Sequence, residues 1–370
     1  MEVVAAHSYI RLGAQFLFSW RESYSDEFAA MFRDEELTTT LDAPVYALKV
    51  WQLRERLDIL GFTSAAAGRR LAAHYEDALT QEPNLKVFAD WLAENAASFG
   101  DEDAMSGEVP EWTARGDPRL PLRLMLDVAP DDSTVALDLS DVVSRGYVQG
   151  TPDLCARAFE KQHGEWMNAP LIVLTEGITD AEFLGLALQV LAPHLLGFVR
   201  FLNYEFKPEG GTSALVRAVR AFAAAGISNR VIALFDNDSA AAEALLTLDV
   251  KALPPNFRVI KLPELPLAED YPTLGPSGPS RMNINGLATS LELFFGEDVL
   301  VRGGGELPPV QWRGYMSKVG RYQGEVMEKA ALQQVFRERA QQSVARGTPG
   351  TGDDWSGMQA LLDVIRAAFN

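Results

Sequence analysis

The chain has 370 residues, 47% hydrophobic and 23% charged, with a formal net charge of -18 at pH 7. This composition is ordinary for a folded globular protein and excludes long disorder, while the length predicts two or three domains. The acidic balance repels polyphosphates and argues against a nucleic-acid binder that works without metal ions, a local basic patch or a partner.

Cysteine content and hydrophobic patterning exclude further classes of protein. Cys155 is the single cysteine, which excludes a disulfide framework and a multi-cysteine metal site, and we expect it to be a small buried side chain. The first residues lack a basic start followed by an apolar run, and no stretch approaches about 18 uninterrupted apolar residues. We therefore expect a cytoplasmic protein that does not span the membrane.

The first part of the chain predicts a hairpin followed by helices. HSYIRLGAQFLFSW places β-forming residues on both sides of Gly13. Helical spacing of apolar residues follows in VYALKVWQLRERLDILGF, with Gly61 as its end, and continues in SAAAGRRLAAHYEDAL and NLKVFADWLAENAASF. Residues 100–119 are acidic, rich in Gly and Pro and aperiodic, which predicts a surface loop or linker. We interpret LRLMLDVA and TVALDLSDVV as further β structure.

Strands and helices alternate regularly after an expected domain boundary near residue 168. The segments are LIVL, DAEFLGLALQVL, GFVRFLNY, TSALVRAVRAFAAAG, RVIALF, SAAAEALLTL and FRVIKL. Alternation with short connections predicts a parallel sheet covered by helices on both faces. Ligands collect at the carboxyl ends of the strands in such sheets, and Glu176, Asp236 and Asp238 follow strand ends.

The remainder of the chain is predicted to be irregular at first and helical afterwards. PELPLAEDYPTLGPSGPSRMNING is proline-rich and irregular, and LATSLELFFG predicts a short helix. Trp312 to Arg346 is interpreted as helical and locally basic, with seven Lys or Arg against three Glu, a net of +4 (7 − 3). SGMQALLDVIRAAF predicts a last helix.

Acidic residues after the strands form the main candidate site. Several carboxylates at strand ends raise one another's pKa unless a cation is present, and Mg²⁺ binds one or two carboxylates together with waters and phosphate oxygens. Glu176 with Asp180, and Asp236 with Asp238, therefore predict a Mg²⁺ site. Structural roles stay open as well, because Asp180 or Asp238 could cap the helix that follows and Gly177 could serve an ordinary turn.

TEGITDAEF and ALFDNDSAA resemble the Toprim domain, whose signature is a glutamate and nearby glycine after the first strand and an Asp-x-Asp after the third. This resemblance covers about residues 168–300. HSYIRLGAQFLFSW, ILGFTSAAAGRRLAAHYE and LPLAEDYPTLGPSGPSRMNINGLATSLELFFG resemble bacterial Toprim proteins with a HEPN/Toprim-associated amino-terminal domain. The expected architecture is α/β, with a mixed α+β amino-terminal domain (1–167), a Toprim-like parallel sheet flanked by helices (168–300) and a helical extension (301–370).

The resemblance implies an acid–metal site that breaks or joins phosphodiester bonds. Glu176 matches the catalytic glutamate of the family and is also an expected metal ligand. Asp236 and Asp238 match the Asp-x-Asp metal ligands, and Asp180 matches an extra acid of overcoming-lysogenisation-defect-like nucleases.

Two later residues are candidates for an additional acid and lysine of the same nucleases. Glu292 is the candidate metal ligand, and Lys329 is the candidate catalytic lysine that offsets transition-state charge. The resulting hypothesis is a nuclease that uses Mg²⁺ or Mn²⁺, one ion or two, cleaves DNA or RNA, and acts as an effector in bacterial defence against phage.

The resemblance also bears on partners. The chain has no P-loop motif, whereas related Toprim nucleases work fused to or alongside an ATPase, which implies a separate ATPase or sensor protein. The alternative is a self-sufficient homodimer whose basic stretches line one groove.

Other functions stay open at this point. The Toprim fold could serve a catalytically silent binding or regulatory subunit. A haloacid-dehalogenase-like phosphatase using FDND is disfavoured because that fold places its nucleophile strand first, and size disfavours a topoisomerase or primase.

Two weaker signals accompany the main one. Gly210 and Gly211 open a helix whose amides could hold a phosphate, unless Thr212 or Ser213 simply caps it. Arg69 to His74 reads R-x-x-x-x-H, the pattern of HEPN ribonucleases.

Overall fold

The computed structural model describes residues 5–76, 85–99, 117–162, 169–202, 210–301 and 305–369. The chain divides into two compact units, one of Met1–Ala169 with Phe369–Asn370 and one of Pro170–Ala368. Residues 301–368 therefore belong to the same unit as the predicted parallel sheet. None of the helices in the described ranges combines the length and the hydrophobicity that a bilayer-spanning segment needs.

The first unit contains a four-stranded antiparallel sheet. Its strands are β1 (His7–Leu12), β2 (Gln15–Arg21), β3 (Val45–Lys49) and β4 (Thr134–Asp138). Their order is β2-β1-β4-β3. β1 and β2 confirm the predicted hairpin, and Gly13 in its turn has a φ of 58°, which glycine adopts without a side-chain clash.

The described helices of the first unit include the three that were predicted. They are α1 (Asp26–Ala29), α2 (Val50–Ile59), α3 (Ser64–Glu76), α4 (Leu85–Asn95), α5 (Arg119–Val128), α6 (Ser140–Ser144) and α7 (Leu154–Gln162).

Three predictions for the first unit were wrong in whole or in part. VYALK was predicted to begin a helix, but it forms β3, where burial alternates along the strand, and the helix begins at Val50. TVALDLSDVV was interpreted as β structure, but its second half contains α6. LRLMLDVA was predicted as a strand, but it lies in α5, where Leu122, Met125 and Leu126 recur at helical spacing and are fully buried.

Some sequence features of the first unit fall wholly or partly outside the described residues. Residues 100–116 of the predicted acidic loop lie outside them, as does the side chain of His74, although Arg69 and His74 both belong to α3. Cys155, by contrast, is described, and its expected burial is confirmed at 0% exposure.

The second unit is a mixed α/β structure with one parallel sheet and additional short sheets. Its strands are β5 (Leu171–Leu174), β6 (Val199–Phe201), β7 (Val231–Phe235), β8 (Asn237–Asp238), β9 (Phe257–Lys261), β10 (Tyr271–Gly275), β11 (Gly278–Met282), β12 (Ala288–Thr289), β13 (Val310–Met316) and β14 (Arg321–Val326). Its helices are α8 (Ile178–Leu191), α9 (Thr212–Ala224), α10 (Ser239–Leu245), α11 (Glu297–Leu300), α12 (Lys329–Arg346) and α13 (Ser356–Ala367).

The alternating segment forms the predicted parallel sheet, in the order β6-β5-β7-β9. Every residue of β7 is buried, as expected for a central strand with both faces covered. The crossover from β5 to β6 and the crossover from β7 to β9 run in opposite directions across the sheet. Right-handed crossovers therefore place α8 and α10 on opposite faces, which opens a crevice at the carboxyl ends of β5 and β7.

The carboxyl-terminal part differs from its prediction in three places. β10 and β11 form a hairpin inside the segment predicted to be irregular, and β13 and β14 form another in the first half of the stretch predicted to be helical. Gly314, Gly320 and Gly324 disfavour a helix there, and aromatic residues favour strands. The helical prediction is confirmed from Lys329 onward. LATSLELFFG was wrongly predicted as a helix: it contains β12 and a 3-10 turn at Leu291–Phe294.

Candidate active site

The predicted acids lie at the crevice between β5 and β7. Glu176 follows the end of β5 by two residues, and Asp236 directly follows β7, the neighbour of β5 in the sheet. The backbone amide of Asp236 donates a hydrogen bond to Glu176 Oε1 at 3.0 Å, which joins the two strand ends. The sheet topology thus brings together residues that are far apart in the sequence.

Glu176 is held by the entry to α9. Its Oε2 accepts a hydrogen bond of 2.8 Å from the Thr212 hydroxyl, and its carbonyl oxygen accepts one of 2.7 Å from the Gly211 amide. Gly211, with φ of 90°, occupies the N-cap position rather than Thr212 or Ser213. One amide of the predicted phosphate cradle is therefore engaged within the protein, and glycine is required there by its backbone conformation.

Asp180 and Asp238 both lie at helix amino termini. Asp180 is in the first turn of α8, and its Oδ2 accepts a hydrogen bond from the Gly177 amide at 2.9 Å. Asp238 is the N-cap of α10: Oδ1 accepts from the Ala241 amide at 2.7 Å, and Oδ2 accepts from Gln323 Nε2 at 2.8 Å. The structural role considered for Asp238 is therefore real, and both of its oxygens have donors.

Asp236 is the least compensated acid of the site. Within the described part of the chain, no group donates a hydrogen bond to its carboxylate, and the residue is only partly exposed. Burial, followed by the charges of Glu176, Asp180 and Asp238, raises the pKa of Asp236 well above its ordinary range. A carboxylate in this position gains from a nearby cation.

Glu292 and Lys329 form an ion pair beside these acids. Lys329 Nζ lies 3.2 Å from Glu292 Oε2, which also accepts from the Ser290 hydroxyl at 2.6 Å, and Gln333 Nε2 donates to Oε1 at 2.8 Å. Burial opposes ionisation of Glu292, but Lys329 and the two donors outweigh it and lower its pKa. Burial likewise opposes protonation of Lys329, and Glu292, Asp236 and Asp180 outweigh it and raise its pKa.

The predicted site residues form one electrostatic group, which we call the acidic cluster: Glu176, Asp180, Asp236, Asp238, Glu292 and Lys329. Burial first, and then the charges of Glu292 and Glu176, raise the pKa of Asp180 to about 7. Burial also raises the pKa of Glu176, and Asp238 adds to the effect. Five carboxyl groups and one ammonium group thus make up the acidic cluster, which leaves carboxyl groups in excess.

The acidic cluster offers oxygen ligands of the kind that hard metal ions prefer, but these ligands are not already arranged around one point. Among the described residues, no three Asp, Glu, His or Cys side chains are arranged as a ready-made metal site. Glu176, Asp180 and Asp236 nevertheless provide the oxygen ligands that Mg²⁺ and Mn²⁺ prefer. Asp236 has no hydrogen-bond donor among the described residues, and a divalent cation would favour its ionised form, so this donor set is compatible with such an ion.

Sequence reasoning missed the residues that position the acids. Thr212, Gln323 and Gln333 each donate a side-chain hydrogen bond to a carboxylate of the acidic cluster. Thr212 carried a signal, because it opens the helix that leads into β7. Gln323 in β14 and Gln333 in α12 are neutral residues without a motif, so no sequence signal indicated their role.

The basic stretch from Trp312 to Arg346 is largely neutralised. Six of its seven cations pair with carboxylates: Arg313 with Glu325, Lys318 with Glu243, Lys329 with Glu292, Arg337 with Glu182, Arg339 with Asp298 and Arg346 with Asp353. Arg321 is exposed and donates to the Gly286 carbonyl at 3.4 Å, and no carboxylate of the described residues pairs with it. A concentrated basic patch does not form.

No protein-family model, curated protein or solved structure matches the chain. Functional assignment therefore depends on the sequence pattern and on the geometry of the acidic cluster.

Proposed function

We propose that this chain is a Toprim-type nuclease that hydrolyses phosphodiester bonds with Mg²⁺ or Mn²⁺ at the acidic cluster. The observation that carries the proposal is the Asp236 carboxylate, which lies at the end of the central strand among other acids and has no hydrogen-bond donor within the described residues. Structural carboxylates are normally paired or capped, so an uncompensated one at a strand-end crevice favours a ligand-binding role.

Glu176, Asp180 and Asp236 are the residues that would hold the ion, with Asp238 and Glu292 as further predicted ligands. When bound, a divalent cation supplies Lewis-acid activation of water and of the scissile phosphate. Thr212 and the Asp236 amide orient Glu176 toward the crevice. Hydrogen bonds between Glu176 and these donors reduce the rotation that the side chain must lose on binding.

Lys329 is the candidate catalytic cation of the cluster. Its ammonium group interacts with Asp236 and Asp180 as well as with Glu292, so it lies where the charge of a phosphate would develop. We expect Lys329→Ala to lower kcat more than it raises KM, because transition-state charge exceeds ground-state charge. Equal kcat in parent and variant would remove Lys329 from the catalytic set.

The central test is nucleic-acid cleavage by the full-length protein. Supercoiled plasmid, single-stranded DNA and RNA are incubated with Mg²⁺ or Mn²⁺, or with EDTA, and we expect cleavage only with metal. Asp236→Asn should abolish cleavage without lowering Tm, whereas Glu264→Gln, at an exposed acid of the same unit, should cleave like the parent. Undiminished cleavage by Asp236→Asn would refute the proposal, as would a parent that cleaves none of these substrates even with a partner present.

A catalytically silent binding or regulatory subunit is the second candidate. The observation favouring it is that Asp238 and Glu292 direct both carboxylate oxygens to donors within the protein. Calorimetric titration with Mn²⁺ separates the two functions, because a silent subunit should bind the ion no better than a Glu176→Gln/Asp236→Asn variant. Clearly weaker binding by that variant would support the nuclease.

We propose that the protein acts in the cytoplasm in bacterial defence, and its charge distribution supports the need for a partner. A net charge of -18 and a neutralised basic stretch give little long-range attraction for nucleic acid. We expect a separate ATPase or sensor protein to supply positive surface and activation. Size-exclusion chromatography with light scattering, followed by cleavage assays of the isolated chain at low salt, tests this. Robust cleavage by a homodimer alone, unchanged by a neighbouring gene product, would exclude the partner requirement.

A further inference from the structure

The β13–β14 hairpin exposes aromatic side chains to solvent. Tyr315 and Tyr322 are directly opposite each other in the antiparallel register, and they are 59% and 58% exposed. Their ring centroids are 5.1 Å apart, and the Trp312 ring lies 6.4 Å from that of Tyr322. A cross-strand pair of this kind stabilises a hairpin, yet more than half of each tyrosine stays in water.

The same hairpin is fixed to the loop that carries Asp238. Gln323 Nε2 donates to Asp238 Oδ2 at 2.8 Å, and Gln323 Oε1 accepts from the Ala240 amide at 3.0 Å. The Ser239 hydroxyl donates to the Tyr322 carbonyl at 2.8 Å. Side chains alternate along a strand, so Gln323 contacts the acidic cluster while its neighbour Tyr322 is presented on the other face.

Arg321 lies at the edge between these two faces. It is exposed, it precedes Tyr322 in β14, and its guanidinium donates to the Gly286 carbonyl at 3.4 Å. A side chain built at Gly286 would meet both Arg321 Nη1 and Asn237 Oδ1, which places the guanidinium beside the residue before Asp238. Within the described residues it has no carboxylate partner, so its charge is available to a phosphate.

We infer that the exposed aromatic face of the β13–β14 hairpin stacks the unpaired bases of a nucleic-acid strand, and that Arg321 binds a phosphate where this strand turns toward the acidic cluster. The substrate of the site is therefore single-stranded, or carries unpaired bases. This inference rests on the proposed function, and it gives that function its substrate class.

Base stacking on aromatic side chains allows this acidic protein to bind nucleic acid despite its net negative charge. Net charge of -18 disfavours binding through the phosphate backbone, whereas base–aromatic stacking is not electrostatic in origin and accepts any base. Bases within a duplex are already stacked and cannot contact tyrosine rings face to face, so stacking selects unpaired strands. The hydrogen bonds to the Asp238 loop hold the hairpin beside the acidic cluster, so a strand stacked on its outer face lies near the site.

The test measures binding without cleavage, by fluorescence anisotropy of labelled oligonucleotides in EDTA. Single-stranded DNA and RNA of about 16 nucleotides, the upper site size of one single-strand-binding module, are compared with a duplex of equal length. We expect the full-length parent to bind the single strands more tightly than the duplex. Tyr315→Ala/Tyr322→Ala should weaken single-strand binding about tenfold or more.

Matched variants separate stacking from folding defects. Tyr315→Phe/Tyr322→Phe keeps both rings and should bind like the parent, as should Phe16→Ala, which removes an aromatic ring 56% exposed in the first unit. Arg321→Gln should lower the slope of log K against log salt by about 0.7, the value for one phosphate of a single strand. Arg313→Gln, in the same hairpin but paired with Glu325 at 3.0 Å, should leave the slope unchanged.

Each outcome decides the inference. Equal single-strand binding by the parent and the double alanine variant overturns it, and so does a duplex that binds as tightly as the single strands. If that happens while metal-dependent cleavage persists, the inference fails and the proposed function stands. If the tyrosines prove necessary for single-strand binding but no substrate is cleaved with metal, the proposed function fails and the hairpin is a single-strand-binding surface.

Discussion

Buried charge is compensated in the first unit and left in excess in the second. Three buried arginines of the first unit each have a carboxylate partner: Arg56 with Glu36, Arg119 with Asp117 and Arg123 with Asp58. In the second unit, the acidic cluster has five carboxyl groups and one ammonium group, and Lys329 interacts with Glu292, Asp236 and Asp180 among them. Compensated pairs are expected of a structural role, whereas uncompensated acids in a crevice cost stability and are typical of functional sites.

The largest expected change in the free energy of unfolding comes from removing a buried arginine of the first unit. Arg56 is 0% exposed and donates to Glu36 and, at 2.6 Å, to the Met31 carbonyl. Arg56→Met leaves the Glu36 carboxylate without its partner, and we expect a loss of about 3–5 kcal/mol in the free energy of unfolding. Urea unfolding, with amide hydrogen exchange in α2 as a local readout, measures the change.

A double variant is the control for that prediction. Arg56→Met/Glu36→Met removes both charges, and it should recover a large part of the lost stability because neither charge is then left alone. If the double variant were as unstable as the single one, loss of packing rather than an unpaired carboxylate would be the cause.

In the acidic cluster, removing a charge should increase the free energy of unfolding instead of lowering it. The pKa of Asp180 is raised from 3.8 to about 7, so the folded protein binds a proton more tightly than the unfolded chain does. Above pH 7 the group is ionised in both states and destabilises the fold, and this cost disappears as the pH falls toward 4. Without metal, Asp180→Asn should therefore raise the free energy of unfolding at pH 8, by up to about 4 kcal/mol.

The Asp180 prediction is measured by urea unfolding in EDTA at several pH values. The gain from Asp180→Asn should shrink below pH 7 and vanish near pH 4, while Asn retains an oxygen to accept from the Gly177 amide. A gain that does not change with pH would show that charge relief is not its origin.

Glu292 provides a contrast with Asp180, because it is an acid of the same cluster whose charge is compensated by Lys329. Its pKa is lowered, so its stabilising effect is present above its ordinary value of 4.5 and is lost as the pH falls through the lowered pKa. Glu292→Gln should cost about 1 kcal/mol at pH 7. Urea unfolding measures the difference from the parent, which should change below pH 7 because loss of the Glu292 charge also lowers the pKa of Asp180. An increase in stability at pH 7 would place Glu292 with the uncompensated acids.

The smallest expected effect concerns the residue that precedes Lys329. Glu328 has a φ of 60°, in the left-handed region that costs a residue with a side chain about 1 kcal/mol. Glu328→Gly should raise the free energy of unfolding by no more than about 1 kcal/mol. Glu338→Gly, inside α12 and exposed, is the matched control and should lower it by about 1 kcal/mol.

The parallel sheet could be predicted because its signal is local. VIALF is a continuous apolar run, as a strand buried on both faces requires, and the first three strands of the sheet are each followed by a helical segment. The hairpins of the carboxyl-terminal part could not be predicted in the same way. Pro272, Gly275 and Pro279 favour a loop by propensity, and pairing with distant strands overrides that preference.

The acids of the site could be predicted, but not their state of compensation. Strand ends of a parallel sheet meet at one edge, so Glu176 and Asp236 were placed by topology alone. Which carboxylates have donors depends on Thr212, Gln323 and Gln333, whose positions follow from tertiary packing. The sequence therefore identified the acids of the cluster but not which of them have hydrogen-bond donors.

The contacts of Gln323 and Lys329 also have a consequence for synthesis of the chain. All four parallel strands precede Lys261, whereas the hairpin and α12 that complete the acidic cluster begin well after it. A growing chain emerges from its amino-terminal end, so the sheet leaves the ribosome with its acids already exposed and their ammonium partner not yet made. The site reaches its final charge balance only when the last third of the second unit docks, and a chain released before that point carries the acids without the lysine.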